Sequence, residues 1–79
     1  MNLNTLRKKI DIIDKKLIAL LKRRFLLAQK IGRFKIEKNL SVVDEKREEE
    51  IMEQIKKTEL KKIFKLIIKE SKKVQQNLP

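Results

Sequence analysis

LLKRRFLLAQKIGRFK, residues 20–35, is the stretch on which the fold turns. Counted in heptads from Leu3, the chain places Leu3, Leu6, Ile10, Ile13, Leu17, Leu20, Arg24, Leu27, Ile31 and Phe34 at alternating spacings of three and four. That is the seam of a long amphipathic helix that packs against other helices. One position breaks it: Arg24 puts a guanidinium where the pattern asks for leucine or isoleucine.

The expected helix opens at Asn4, a residue type that caps helix N-termini, and covers about 4–38, with Asn39 available for a left-handed C-terminal position. At about 1.5 Å per residue it is about 52 Å long, whereas a compact chain of this size has a radius of gyration of about 12 Å. The overhanging stripe must be covered by another chain, which leads to a homodimer. Gly32 is the weakest point of this helix, costing about 1 kcal/mol relative to alanine.

Beyond a loop at 39–43, NLSVV, Asp44 opens a second helix expected over about 44–57, with Glu48, Glu49 and Glu50 in its early turns where the helix dipole favours them. A reversal near Lys57 and Thr58 leads into a third helix over about 59–77, which Pro79 cannot extend. That reversal contains no Gly, Pro or Asn and is only weakly marked. The expected fold is all-α, with three helices in a single domain over 1–79.

Composition narrows the chemistry. The 79 residues suffice for one small domain, and with three Phe as the only aromatics, one Gly and one Pro they suit long helices rather than a sheet. Cysteine and histidine are absent, which removes disulfides, the usual zinc sites, and every nucleophile or general base built on thiol or imidazole. No long apolar run suggests a signal or a membrane span, so a cytoplasmic protein is expected. The 22 Lys and Arg against 11 acidic residues give a formal charge of +11, which favours an anionic partner. Seventeen of those cations are lysines scattered along the chain, and such lysines are ordinarily a solvated face.

Polar residues interrupt the other helices too. In the third, the spacing Leu60, Phe64, Ile67, Ser71, Val74, Leu78 sets Ser71 on the seam, with Gln75 beside it. In the second, Ile51 and Ile55 extend backwards to Glu48 and Asp44, flanked by Arg47. In the first, Arg24 and Lys35 lie about 20° apart around the axis and about 16 Å along it, so their side chains can converge on a small anion. Arg7 lies about 42 Å from Lys35 along the same helix, so it can serve such a site only in a partner chain. Each interruption has a plain structural alternative: a seam arginine fixes register or pairs with a buried Glu such as Glu48, and Ser71 allows close packing. Together they favour a polar pocket between helices that takes a compact molecule bearing carboxylates.

Five blocks in order, LRKKID (6–11), IDKKLIALLKRR (13–24), AQKIGRFK (28–35), VVDEKREEE (42–50) and FKLIIKESKKVQQ (64–76), resemble the successive signatures of the all-helical class of chorismate mutases. The resemblance implies a three-helix protomer in an intertwined dimer. Its two sites would convert chorismate to prephenate, in aromatic amino acid biosynthesis, with no cofactor, metal or covalent intermediate. It further implies that Arg7 reaches into the partner's site while Arg24 stays in its own, each gripping a substrate carboxylate. Lys35 would bind carboxylate and ether oxygen, and Gln75 would donate to that ether oxygen. Glu48 would hold the ring hydroxyl, Asp44 and Arg47 would line the pocket, and Ser71 would support the ring carboxylate.

Two other readings stay open. Isochorismate pyruvate lyases share the scaffold, although Glu48 suits the hydroxyl position of chorismate better. A basic helical dimer that binds nucleic acid is the other, disfavoured because stacking aromatics and a recognition-helix motif are missing and the distinctive cations face inward.

Overall fold

Asn2 opens the first helix, two residues before the expected cap. Its Oδ1 accepts from the backbone N–H of Thr5 at 2.9 Å and from the Thr5 hydroxyl at 3.0 Å. The cap forms there because Thr5 supplies two donors at once, and Asn4 is left inside the helix. In the computed structural model, which describes residues 2–78, this helix, α1, spans Leu3–Glu37, 35 residues without a break. It closes in a Schellman arrangement: Asn39 takes φ 57°, its N–H donates to the Ile36 carbonyl at 3.2 Å, and the Leu40 N–H donates to the Lys35 carbonyl at 2.8 Å.

Asp44 caps the second helix, its Oδ1 accepting from the Arg47 N–H at 3.0 Å. α2 spans Glu45–Glu53 and stops four residues short of the expected 57. Its last turn carries no basic residue and ends on Glu53, a charge the negative end of the helix disfavours. The chain tightens instead, Gln54 N–H donating to Ile51 at 3.2 Å and Ile55 N–H to Met52 at 3.1 Å. Lys57 is extended at φ −80°, ψ 132°, and α3 then runs over Thr58–Gln76. The stop expected at Pro79 lies outside the described residues.

Among the described residues there is no strand, and no helix is long and apolar enough to cross a membrane. α3 packs on the C-terminal half of α1 and also touches α2, whereas α1 and α2 do not meet. The N-terminal half of α1 extends beyond this packing, giving extents of 54 × 29 × 14 Å and a radius of gyration of 15.9 Å, well above the about 12 Å of a compact chain.

The residues that α1 buries are not those of the heptad seam. Ala28 is 4% exposed, Gly32 is buried, and Leu21 and Phe25 are half-buried. These occupy a second stripe, one residue beyond Leu20, Arg24, Leu27 and Ile31 around the helix. The doublets LL, RF, LA and IG in the sequence are two adjacent faces, one turned to α3 and the other largely exposed. α3 answers with Ile68 at 8% and Ser71 at 6% exposed. The apolar seam residues, from Leu3 through Phe34, are each 44–59% exposed.

Gly32 is also more than a weak point. A Cβ placed there would stand 2.9 Å from the Cα of Gln75 and 3.1 Å from its carbonyl oxygen. Glycine lets the two helix backbones approach this closely.

Candidate active site

Because α1 and α2 are held apart while α3 bridges them, a cavity of about 390 Å³ opens between the three helices. That is within the size range of small-molecule sites. Its floor is apolar, formed by Leu27, Ala28, Ile31, Ile51 and Ile68. Its chemistry comes from Arg24 and Lys35 on α1, from Asp44, Arg47 and Glu48 at the start of α2, and from Ser71, Lys72 and Gln75 on α3. Seven of the eight residues singled out in the sequence thus border one cavity. The eighth, Arg7, is exposed near the far end of α1 and does not line it.

Arg24 Nη1 donates to the hydroxyl oxygen of Ser71. Ser71 Oγ in turn donates its proton to the Ile67 carbonyl one turn earlier, at 2.8 Å. This serine is therefore no nucleophile: its proton points at a carbonyl and its oxygen faces a cation, with no base beside it. Arg24 donates here rather than to Glu48, the pairing that the register-fixing alternative offered. Burial, and secondarily the charge of Arg47, lower the pKa of Arg24 from its usual value. The guanidinium still carries its charge throughout the physiological range, held where charge is disfavoured unless an anion joins it.

Lys35 Nζ donates to the Val42 carbonyl at 2.9 Å and to Gln75 Oε1 at 3.1 Å. The first contact ties the 39–43 loop to the rim of the cavity. The second settles the amide of Gln75: an ammonium only donates, so the carbonyl oxygen must face it, and Nε2 keeps its donors for another partner.

Across the cavity Glu48 Oε1 accepts from Lys72 Nζ at 2.9 Å, with both side chains about one-third exposed or less. Arg47 leans on Glu50 at 3.5 Å and remains largely in solvent. Asp44 serves as the helix cap already described, which fixes where α2 begins and so where Glu48 stands.

Lys72 is the residue that the sequence reading passed over. It resembled the many other surface lysines. Its position relative to Ile68, Ser71 and Gln75, at i+4, i+1 and i−3, puts it on or beside their face, and that was the available signal. Counting it, the cavity carries four cations, Arg24, Lys35, Arg47 and Lys72, against the carboxylates Asp44 and Glu48, a balance of +2. The whole is an electrostatic cradle, rich in fixed donors.

The described residues thus form an all-helical chain with a donor-rich, cationic cavity at a three-helix junction. Residues 6–76 match the family described as chorismate mutase type II, and the chain belongs to that family. Its fold is also similar to that of a conserved hypothetical protein from Pyrococcus furiosus, at 48% identity and a TM-score of 0.86 over 92% of this chain and 93% of that one. No curated protein matches the chain.

Proposed function

We propose that this protein is an isomerase, a chorismate mutase that rearranges chorismate to prephenate in aromatic amino acid biosynthesis, working in the cytoplasm. Residues 1–79 form a single domain, and two copies intertwine as a homodimer through the exposed seam of α1. One observation carries the reading: the cavity balance of +2 is matched to a dianion, with a lysine and an oriented amide, Lys35 and Gln75, side by side at one point of its wall.

The reaction is a unimolecular pericyclic rearrangement in which a C–O bond breaks as a C–C bond forms. It needs neither nucleophile nor proton shuttle, in keeping with a cavity whose only hydroxyl is held inert. What remains is to hold the dianion folded in its reactive conformer and to stabilise the charge that gathers on the ether oxygen.

Arg24 grips one carboxylate with a planar, permanently charged fork, its orientation set by Ser71. Arg7 of a second copy grips the other. Lys35 and the free Nε2 donors of Gln75 meet the ether oxygen, and the apolar floor keeps water from competing with them. Glu48 accepts from the ring hydroxyl, while Asp44 and Arg47 shape the rim.

The test is direct. Purified protein should consume chorismate, followed by its ultraviolet absorbance, with prephenate as the product. Unchanged chorismate overturns the proposal, and conversion of isochorismate to salicylate and pyruvate in its place would assign the site to the lyase reaction.

A further inference from the structure

Lys72 is assigned no contact with the substrate above, yet among the described residues its ammonium is the only hydrogen-bonding or ion-pairing partner of the Glu48 carboxylate. We infer that Lys72 is a positioning residue: its ammonium aims the Glu48 carboxylate, and by pairing with it spares a bound dianion an uncompensated negative charge. The inference rests on the proposed reaction.

Three observations support it. Lys72 donates to Oε1 at 2.9 Å, which leaves Oε2 as the acceptor for a ring hydroxyl and restricts rotation of the carboxylate about its last bond. The pair spans two helices, α2 and α3, that otherwise touch little; it therefore also fixes how far Glu48 stands from Gln75. Without Lys72 the Glu48 carboxylate would face the cavity with no paired cation among the described residues. Drawing a dianion up to an unpaired carboxylate would repel it, and a paired one does so far less.

Lys72→Met keeps most of the aliphatic stem and removes the ammonium. It should raise KM for chorismate about tenfold, the scale of one charge-assisted hydrogen bond discounted for its partial exposure, with kcat changed less than about threefold. Lys72→Arg, which keeps a cationic donor, should recover most of the loss. In a Glu48→Gln background, Lys72→Met should add less than about twofold, since the group it acts through is gone. Circular dichroism confirms that each variant is folded.

Full multiplication of the two effects would mean that Lys72 acts on the substrate independently of Glu48 and would overturn the inference. So would an unchanged KM in Lys72→Met with the parent active. If the parent itself leaves chorismate untouched, the proposed reaction fails and this inference falls with it; the two failures are told apart by the parent alone.

Discussion

Gly32 and Gln75 set the spacing of the two helices that build the cavity: a Cβ on the first would lie 2.9 Å from the Cα of the second. The obstacle is backbone, which cannot rotate away. Gly32→Ala should gain about 1 kcal/mol in helix propensity and lose more, about 1–3 kcal/mol, to overpacking. The thermal midpoint should fall. Activity should fall further, by about tenfold or more, because α3 carries Ser71, Lys72 and Gln75 away from their partners on α1 and α2. A variant more stable than the parent with full kcat/KM would show that the helices can part without consequence.

Arg24 is held charged where burial and Arg47 both disfavour charge. The sign follows. A cation whose folded pKa is lowered costs folding stability at every pH below that value, and recovery comes only in strong alkali, far above the neutral range. Arg24→Leu should therefore leave the unliganded protein as stable as the parent or more so, while kcat/KM drops by about 2–5 kcal/mol of transition-state binding. A dianionic ligand should raise the midpoint of the parent and not of the variant. Loss of stability with retained activity would return Arg24 to a register-fixing role.

Gln75 accepts from Lys35 through Oε1, and in the proposed mechanism its Nε2 donates to the ether oxygen. Gln75→Glu exchanges that permanent donor for a group that donates only when protonated. At pH 7 the introduced carboxylate opposes the charge developing on the ether oxygen, and Lys35 beside it favours the ionised form. Activity should be low at neutral pH and return only as the pH falls below about 4, because the ordinary glutamate value of about 4.3 is lowered by the neighbouring ammonium. A pH profile parallel to that of the parent would make Gln75 a packing residue.

The helices and the polar intruders were legible from the chain alone, since Arg24, Ser71 and Glu48 each stand out against an apolar period. The partition of α1 was harder to see. A heptad count starting at Leu3 picks out one stripe, and the Leu21, Phe25, Ala28, Gly32 stripe that α3 covers lies one residue away. The end of α2 was overrun because the turn after Glu53 uses none of the usual breakers and depends on local i→i+3 bonds. Lys72 was hidden by composition: among seventeen lysines, one more on α3 looks like surface until its distance to Glu48 is known.

The exposed seam, 44–59% accessible from Leu3 to Phe34, should make folding depend on association. The thermal midpoint should rise with protein concentration over the micromolar range, as mass action requires when only the dimer is stable. A midpoint independent of concentration, together with a monomer in equilibrium sedimentation, would contradict this.

The proposed site takes Lys35 from one chain and Arg7 from the other, and subunit mixing tests this most directly. Arg7→Ala and Lys35→Ala chains, each inactive alone, are unfolded together and refolded at equal concentration. In a mixed dimer one site receives Lys35 from one chain and Arg7 from the other, both intact, while the second site lacks both. With random pairing, about half the dimers are mixed, so about one quarter of the parental chorismate mutase activity should return. No recovery, with mixed dimers shown to be present, would contradict the account and place Arg7 in its own protomer or outside the site altogether.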